Sequence, residues 1–129
     1  MRELKFRFWN KMAHKFQSPS KYAIDGNGDL VAYDYEMGAY DDPTPFSRTC
    51  IIAQQYTGLK DKNGIEIYEG DILKLNELNY EVMWVDGQFI ATCPYYNKHH
   101  WPKFEHFARE ARCSEVVGNI MENPELLKQ

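Results

Sequence analysis

The sequence has few cysteines, and they form no pattern. Its 129 residues contain only Cys50, Cys93 and Cys113, an odd number at unrelated spacings. Small secreted domains are usually held together by an even number of cysteines, so this sequence does not predict a disulfide scaffold. It also lacks an apolar run of membrane-spanning length and a signal peptide. We therefore expect a cytoplasmic protein with no membrane association.

The chain has no excess of positive charge, since its formal net charge is −4. Charge is nevertheless distributed unevenly. Residues 1–22 carry six Lys and Arg against one Glu, whereas residues 23–50 carry one Arg against six Asp and Glu. A basic N-terminus on an otherwise acidic protein is therefore a feature to explain.

Aromatic residues are abundant, with nineteen Phe, Trp and Tyr in a chain that is one domain by length. So many rings are hard to bury in one small core, and Tyr and Trp are enriched at interfaces. The segment around Tyr95, Tyr96 and Trp101 is the densest cluster. These three residues are predicted oligomer contacts, together with Trp9 and the C-terminal turn.

The stretch from Gln55 to Leu73 organises the predicted fold. Gly and Asn tolerate positive backbone angles, and Asp after Gly can accept backbone N–H bonds that hold a turn. Two short apolar segments lie between such residues, which leaves no room for a helix. We predict structural turn roles for Thr57, Gly58, Asn63, Gly64, Gly70 and Asp71.

Other segments predict a mainly β fold. Leu4, Phe6 and Phe8 alternate with polar residues or Trp9 and predict one apolar strand face. The dipeptide Asp86-Gly87 predicts a β-hairpin, and residues 25–28 predict another turn between strands. Phe104, Phe107, Ala108 and Ala111 have helical spacing. Residues 114–121 predict a closing strand, and Asn123-Pro124 predicts a short C-terminal turn with Asn as the cap.

The stretch from 55 to 73 resembles the signature of the YopX family, whose members are small proteins encoded by phages and prophages. Residues 1–9, the Asp86-Gly87 hairpin and residues 114–127 match in the same order, around a variable middle at about residues 21–49. The resemblance implies an SH3-like C-terminal barrel and self-association. It implies no catalytic residues, and the family's molecular function is unassigned.

Two groups of residues contain metal-ligand types. Asp25, Asn27, Asp29 and Glu36 match EF-hand positions, but Leu30 stands where the loop needs glycine, and the flanks predict strands, so calcium is rejected. A second cluster of zinc-ligand types lies late in the chain, but its spacing matches no closed zinc site, and a surface loop with buried thiols is favoured. Its members are Cys93, His99, His100, His106 and Cys113. We expect no metal and no cofactor.

Catalytic hypotheses are also outweighed by structural ones. A cysteine–histidine pair using Cys50, Cys93 or Cys113 stays open, although a thiol in an apolar strand is usually inert. Glu66, Glu69 and Asp71 would be the acid–base set of a small hydrolase. For Asp71, fixing its own turn is the favoured role.

Nucleic-acid binding is the alternative function, because cations neutralise phosphates and exposed aromatic rings stack on bases. The same pattern is typical of the solvated face of an edge strand. The candidate contacts are Arg2, Lys5, Arg7, Trp9, Lys11 and Lys15.

The sequence therefore predicts a mainly β protein, with an N-terminal β portion at 1–54, an SH3-like barrel at 55–129 and one short helix. The first hypothesis for function is a non-enzymatic, homo-oligomeric binding or scaffold protein of a phage or prophage, acting in the cytoplasm of the bacterial host cell on an unidentified protein partner.

Overall fold

The computed structural model describes residues 3–19, 21–34, 39–41, 50–93 and 103–128. The fold is mostly β, as predicted, and its sheets are antiparallel. The chain divides into two compact units. We call residues 6–54 the N-terminal unit, and residues 1–5 with 55–129 the barrel unit. No described helix is long and apolar enough to span a bilayer.

The N-terminal unit contains two antiparallel arrangements. Strands β1 (Phe6–Asn10) and β2 (Lys15–Gln17) pair with Trp9 opposite Phe16. Their turn is held by Asn10, whose Oδ1 accepts the N–H groups of Met12 and Ala13 at 2.9 and 3.0 Å. Strands β3 (Tyr22–Ile24), β4 (Leu30–Asp34) and β5 (Ala39–Asp41) form a three-stranded sheet.

The predicted single apolar face of the first strand is wrong. Phe8 and Trp9 are consecutive in sequence, and each is only 3% exposed. Rings cover both sides of β1, because Phe8 packs on Tyr22 and Trp9 packs on Phe16 with ring centroids 5.4 and 5.0 Å apart. Leu4, placed on the same apolar face as Phe8 by the sequence pattern, is 60% exposed.

The barrel unit is built on a four-stranded antiparallel sheet in the order β10-β9-β8-β11. The strands are β8 (Asp71–Leu75), β9 (Leu78–Val85), β10 (Gln88–Thr92) and β11 (Glu115–Asn119). Strand β6 (Ile51–Lys60) contributes residues 55–60 to this unit, where it pairs with β7 (Glu66–Tyr68). The core of the unit is a cluster of buried side chains: Ile67, Leu73, Tyr80, Val82, Ala91, Cys93, Phe104 and Ala111.

One α-helix, α1 (Phe107–Cys113), lies in the barrel unit within the residues that the structure describes. It includes three of the four residues whose spacing predicted it. Its first turn has no side-chain cap at His106. Instead, Glu110 Oε1 accepts the N–H groups of Glu105 and His106, both at 3.0 Å, and so satisfies donors that a helix start leaves unpaired.

The C-terminal turn is a 3-10 helix at Pro124–Leu127, with Pro at its first position as predicted. The predicted cap is wrong, because Asn123 makes no side-chain cap hydrogen bond. Its Oδ1 instead accepts the N–H of Asn119 at 3.3 Å. The turn packs against β9, since Leu127 is buried and Asn79 Nδ2 donates to the Leu126 carbonyl at 2.8 Å.

The turn between β8 and β9 contains two residues with positive φ, of which Glu77 is strained. Asn76 and Glu77 have φ values of 51° and 69°, the backbone of a two-residue type I′ turn. Glu is poorly suited to this conformation, whereas Gly adopts it without steric cost. We expect Glu77→Gly to raise the free energy of unfolding by about 1 kcal/mol.

Urea denaturation would measure this gain. The matched control is Gly87→Glu in the β9–β10 hairpin, where Asp86 and Gly87 have φ values of 51° and 77° and the space around Gly87 is open. It should lower stability by a similar amount. Equal stabilities of Glu77→Gly and the parent protein would contradict the strain assigned to Glu77.

Candidate functional site

Asp61 lies where the predicted Asp61–Gly64 turn meets the last strand of the barrel unit. Its carboxylate is 6% exposed and accepts three backbone N–H groups. Oδ1 accepts Asn63 at 2.8 Å and Ile65 at 2.9 Å, and Oδ2 accepts Val116 at 2.9 Å. Burial acts to raise the pKa of Asp61, but these three donors outweigh it and hold the pKa below its usual value.

The same turn geometry recurs in the N-terminal unit. Asp25 Oδ1 accepts the N–H groups of Asn27 and Asp29 at 2.9 and 3.0 Å, as Asp61 does two and four residues on. The glycine in the fourth position has a positive φ in both turns, 86° at Gly28 and 81° at Gly64. The carboxylate weighed as a calcium ligand thus holds its own turn.

Gly70 and Asp71 form the second turn of the organising stretch. Gly70 has φ of 87°, its N–H donates to the Val82 carbonyl, and its carbonyl accepts the N–H of Ile120, both at 2.8 Å. Asp71 is 2% exposed, and its Oδ2 accepts the N–H of Tyr68 at 2.8 Å, the kind of bond proposed for it.

Thr57 and Gly58 differ from the prediction, because they lie within strand β6 and the chain does not reverse there. Gly58 has φ of 87°, and the register of β6 with β7 shifts between Tyr56 and Lys60. Thr57 Oγ1 bridges the irregularity by donating to the Ile67 carbonyl at 2.7 Å. The glycine makes a β-bulge that replaces the expected turn.

The three carboxylates of the hydrolase hypothesis each have a structural partner. Glu66 pairs with Lys5 at 2.6 Å, Glu69 Oε1 accepts the N–H of Gln55 at 3.3 Å, and Asp71 holds its turn. Burial also raises the pKa of Glu81, on strand β9. The contacts that hold Glu66, Glu69 and Asp71 do not direct these three carboxylates at a shared substrate position.

The cysteines and histidines are dispersed in the described parts of the chain. Cys93 is buried in the barrel core, whereas Cys113 and His106 are exposed and Cys50 is partly buried. His99 and His100 lie outside the described residues. Within residues 3–19, 21–34, 39–41, 50–93 and 103–128, no group of three or more His, Cys, Asp or Glu could hold a metal ion.

We use the name N-terminal strip for the predicted nucleic-acid contacts Arg2, Lys5, Arg7, Trp9, Lys11 and Lys15. Most of its described members already have contacts within the protein. In the barrel unit, hydrogen bonds to Glu66 and Glu3 raise the pKa of Lys5 well above its usual range, and its Nζ lies 5.4 Å from the centre of the Tyr56 ring. In the N-terminal unit, Arg7 Nε donates to Gln54 at 2.8 Å, and its guanidinium lies over the Phe16 ring. Trp9 is buried. Lys11 and Lys15 are exposed, and Arg2 lies outside the described residues.

An aromatic row leads from the barrel core to the surface. We use this name for five rings in successive contact, with centroids 4.7–6.3 Å apart: Tyr80, Phe104, Phe107, Phe89 and Trp84. Tyr80 and Phe104 are buried, whereas Trp84 at the other end is 49% exposed. The predicted contacts Tyr95, Tyr96 and Trp101 lie outside the described residues. Trp84 is therefore a surface aromatic that the sequence analysis did not select, although it lies two residues before Asp86-Gly87.

A basic cleft of about 490 Å³ lies beside the end of β6. It is lined by three exposed cations, Lys60, Lys62 and Arg112, together with Tyr56, Asp61 and the bulge at Gly58. A second cleft of about 380 Å³ shares Lys62 and adds Lys74, together with Glu77 and Glu115. The sequence signal for this cleft is weak, because Asp61 separates Lys60 from Lys62 and Arg112 lies about fifty residues later.

Comparison with known proteins identifies a family and several similar solved structures, two of which follow. The model of the YopX protein family matches residues 5–128. The crystal structure of protein EF1440 from Enterococcus faecalis is 26% identical with a TM-score of 0.64, and covers 98% of this chain and 99% of that one. The crystal structure of protein yopX from Bacillus subtilis is 20% identical with a TM-score of 0.60, and covers 98% of each chain. No curated protein matched. Since the family model matches nearly the whole chain, this protein belongs to the YopX family.

Proposed function

We propose that this protein is a non-enzymatic binding protein that works as a homo-oligomer. The observation that carries the proposal is the aromatic row, which ends in the half-exposed ring of Trp84. A large ring held from behind by other rings loses little conformational freedom on binding, and Trp is enriched among residues that dominate interface energies.

The proposed partner is a second copy of the chain. Leu4 and Ile65, two further apolar side chains of the barrel unit, are 60% and 52% exposed. Burying these side chains at an interface would remove their contact with water, which favours association. A scaffold of repeated subunits also suits a unit in which Asp61 and Asp71 hold turns and Glu66 holds an ion pair.

The biological setting belongs to the same proposal. We infer that the protein is encoded by a phage or prophage and acts in the cytoplasm of a bacterial host. The bacterial origin of both solved relatives and the family membership support this inference. In this scaffold role, the oligomer also binds a protein partner that is not identified.

Sedimentation velocity tests the oligomer. We expect the parent protein to sediment as a discrete oligomer at micromolar concentration. Trp84→Gln should raise the dissociation constant of the oligomer at least about ten-fold, as expected for a central aromatic contact, and so shift the distribution toward monomer. The control is Met12→Gln in the N-terminal unit, where the side chain is 69% exposed. It should leave the distribution unchanged.

Thermal unfolding of each variant shows whether the fold is intact. A parent protein that remains monomeric up to submillimolar concentration would overturn the proposal. A folded Trp84→Gln variant with the parent's distribution would overturn the assignment of the aromatic row.

A further inference from the structure

We propose that the basic cleft beside β6 binds the phosphodiester backbone of a single-stranded nucleic acid. The site is in the barrel unit and does not use the N-terminal strip. It is formed by Lys60, Lys62 and Arg112 around the bulge at Gly58. This activity goes beyond the proposed oligomer and does not depend on it.

The first support is that the cations of this cleft are available. Lys60 and Arg112 have no ion pair with any residue that the structure describes, and both are exposed. Lys62 lies 3.9 Å from Glu115, a long, solvent-exposed pair that contributes little. Lys5 and Arg7 differ, because each already has a side-chain acceptor and a ring beneath it.

The second support is that the one acidic residue that lines this cleft has its carboxylate engaged inside the barrel unit. Asp61 stands between Lys60 and Lys62, but both of its carboxylate oxygens accept backbone N–H groups. Within the described residues, its oxygens therefore form no ion pair with the neighbouring lysines and leave them to a ligand. Side chains alternate in direction along the end of β6 and the turn after it, so the side chains of Lys60 and Lys62 are exposed.

The third support is the shape of the cleft. Gly58 has φ of 87°, and a Cβ built on it would meet no atom within 4 Å, so the bulge leaves open space in the wall. Tyr56 is 4% exposed with its ring against Tyr68, so it closes the cleft and does not stack on bases. A site with cations and no free ring would contact the phosphates of a nucleic acid and would not distinguish its base sequence.

Cations extend beyond this cleft, which favours an extended ligand over a single phosphate. The neighbouring cleft shares Lys62 and carries Lys74, so cations continue beyond the first cleft. Glu77 and Glu115 also line this second cleft, so the attraction is strongest at Lys60, Lys62 and Arg112. Grooves that follow a single strand in this way use a series of cations along the phosphates.

The test is fluorescence anisotropy of a labelled, mixed-sequence single-stranded DNA with the full chain. With three phosphate contacts, an approximately four-fold rise in salt should weaken binding about 20-fold. The variant Lys60→Glu/Lys62→Glu/Arg112→Glu should lose at least about ten-fold in affinity at low salt, and most of its salt dependence. The conservative variant Lys60→Arg/Lys62→Arg/Arg112→Lys should retain the parent affinity.

The matched control is Lys11→Glu/Lys15→Glu/Lys21→Glu, which makes the same change in net charge at three exposed lysines of the N-terminal unit. It should stay within about two-fold of the parent, because only contacts at the site release counterions. Absence of binding by the parent, flat salt dependence, or equal losses in the two triple variants would overturn the proposal. Since sedimentation of the parent is measured separately, failure here leaves the oligomer proposal standing.

Discussion

Asp61→Ala is expected to lower the free energy of unfolding of the barrel unit by about 3–5 kcal/mol, because three N–H groups lose their carboxylate acceptor and a hydrogen bond to a charged group contributes about 1.5–3 kcal/mol. The carboxylate joins a turn to a strand that lies fifty-five residues later. Asp61→Asn should be nearly as harmful. It keeps the shape but places an NH₂ group opposite a backbone donor. Urea denaturation measures both losses.

Asp25→Ala is the control for this substitution. It removes the same hydrogen bonds within the turn, but Asp25 is exposed, so water replaces the lost acceptor. The expected loss is about 1 kcal/mol or less. Equal effects of the two substitutions would show that the bond from Val116 and the burial of Asp61 contribute nothing.

The pH dependence of stability follows from the direction of the pKa shift of Asp61. Its pKa is lower in the folded protein than its ordinary value of 3.8. The stabilisation is therefore complete above the unfolded-state pKa and is lost as pH falls through the lower, folded-state value. Asp61→Asn should lack this part of the acid dependence. A parallel decline of both proteins below pH 4 would contradict the assignment.

Gly70→Val is expected to lower the stability of the barrel unit by about 3 kcal/mol, because a β-branched residue in the left-handed region is strained by about 1–3 kcal/mol and the site is also buried. The Gly70 N–H and carbonyl bond to Val82 and Ile120, so any backbone shift that relieves the strain breaks contacts on both sides. Thermal unfolding and soluble yield report the loss.

Gly64→Ala is the matched control for Gly70→Val. Gly64 has φ of 81°, but it is exposed, and a Cβ there would meet no atom within 4 Å. Strain is then the only cost, about 1–2 kcal/mol. If Gly70→Val melts at the parent temperature, the backbone angle and burial of Gly70 do not constrain the fold.

Local chemistry made several elements predictable from sequence. Asp86-Gly87 gave the β9–β10 hairpin, and Asp61–Gly64 gave a turn, because the backbone conformations these residues tolerate are set within a few residues. The spacing of apolar residues predicted α1, and the mainly β class followed from the same local signals. The resemblance carried by residues 55–73 identified the family, which the match over residues 5–128 confirmed.

Position in space, by contrast, was decided only by the tertiary structure. Whether Trp9 stacks on a base or fills a core depends on Phe16, seven residues away across a turn, and Trp9 is buried. Gly58 makes a bulge and not a turn because β7 pairs on both sides of it. Lys60, Lys62 and Arg112 share a cleft because the chain returns there about fifty residues later. Such contacts depend on the path of the whole chain, which periodicity and turn propensity do not encode.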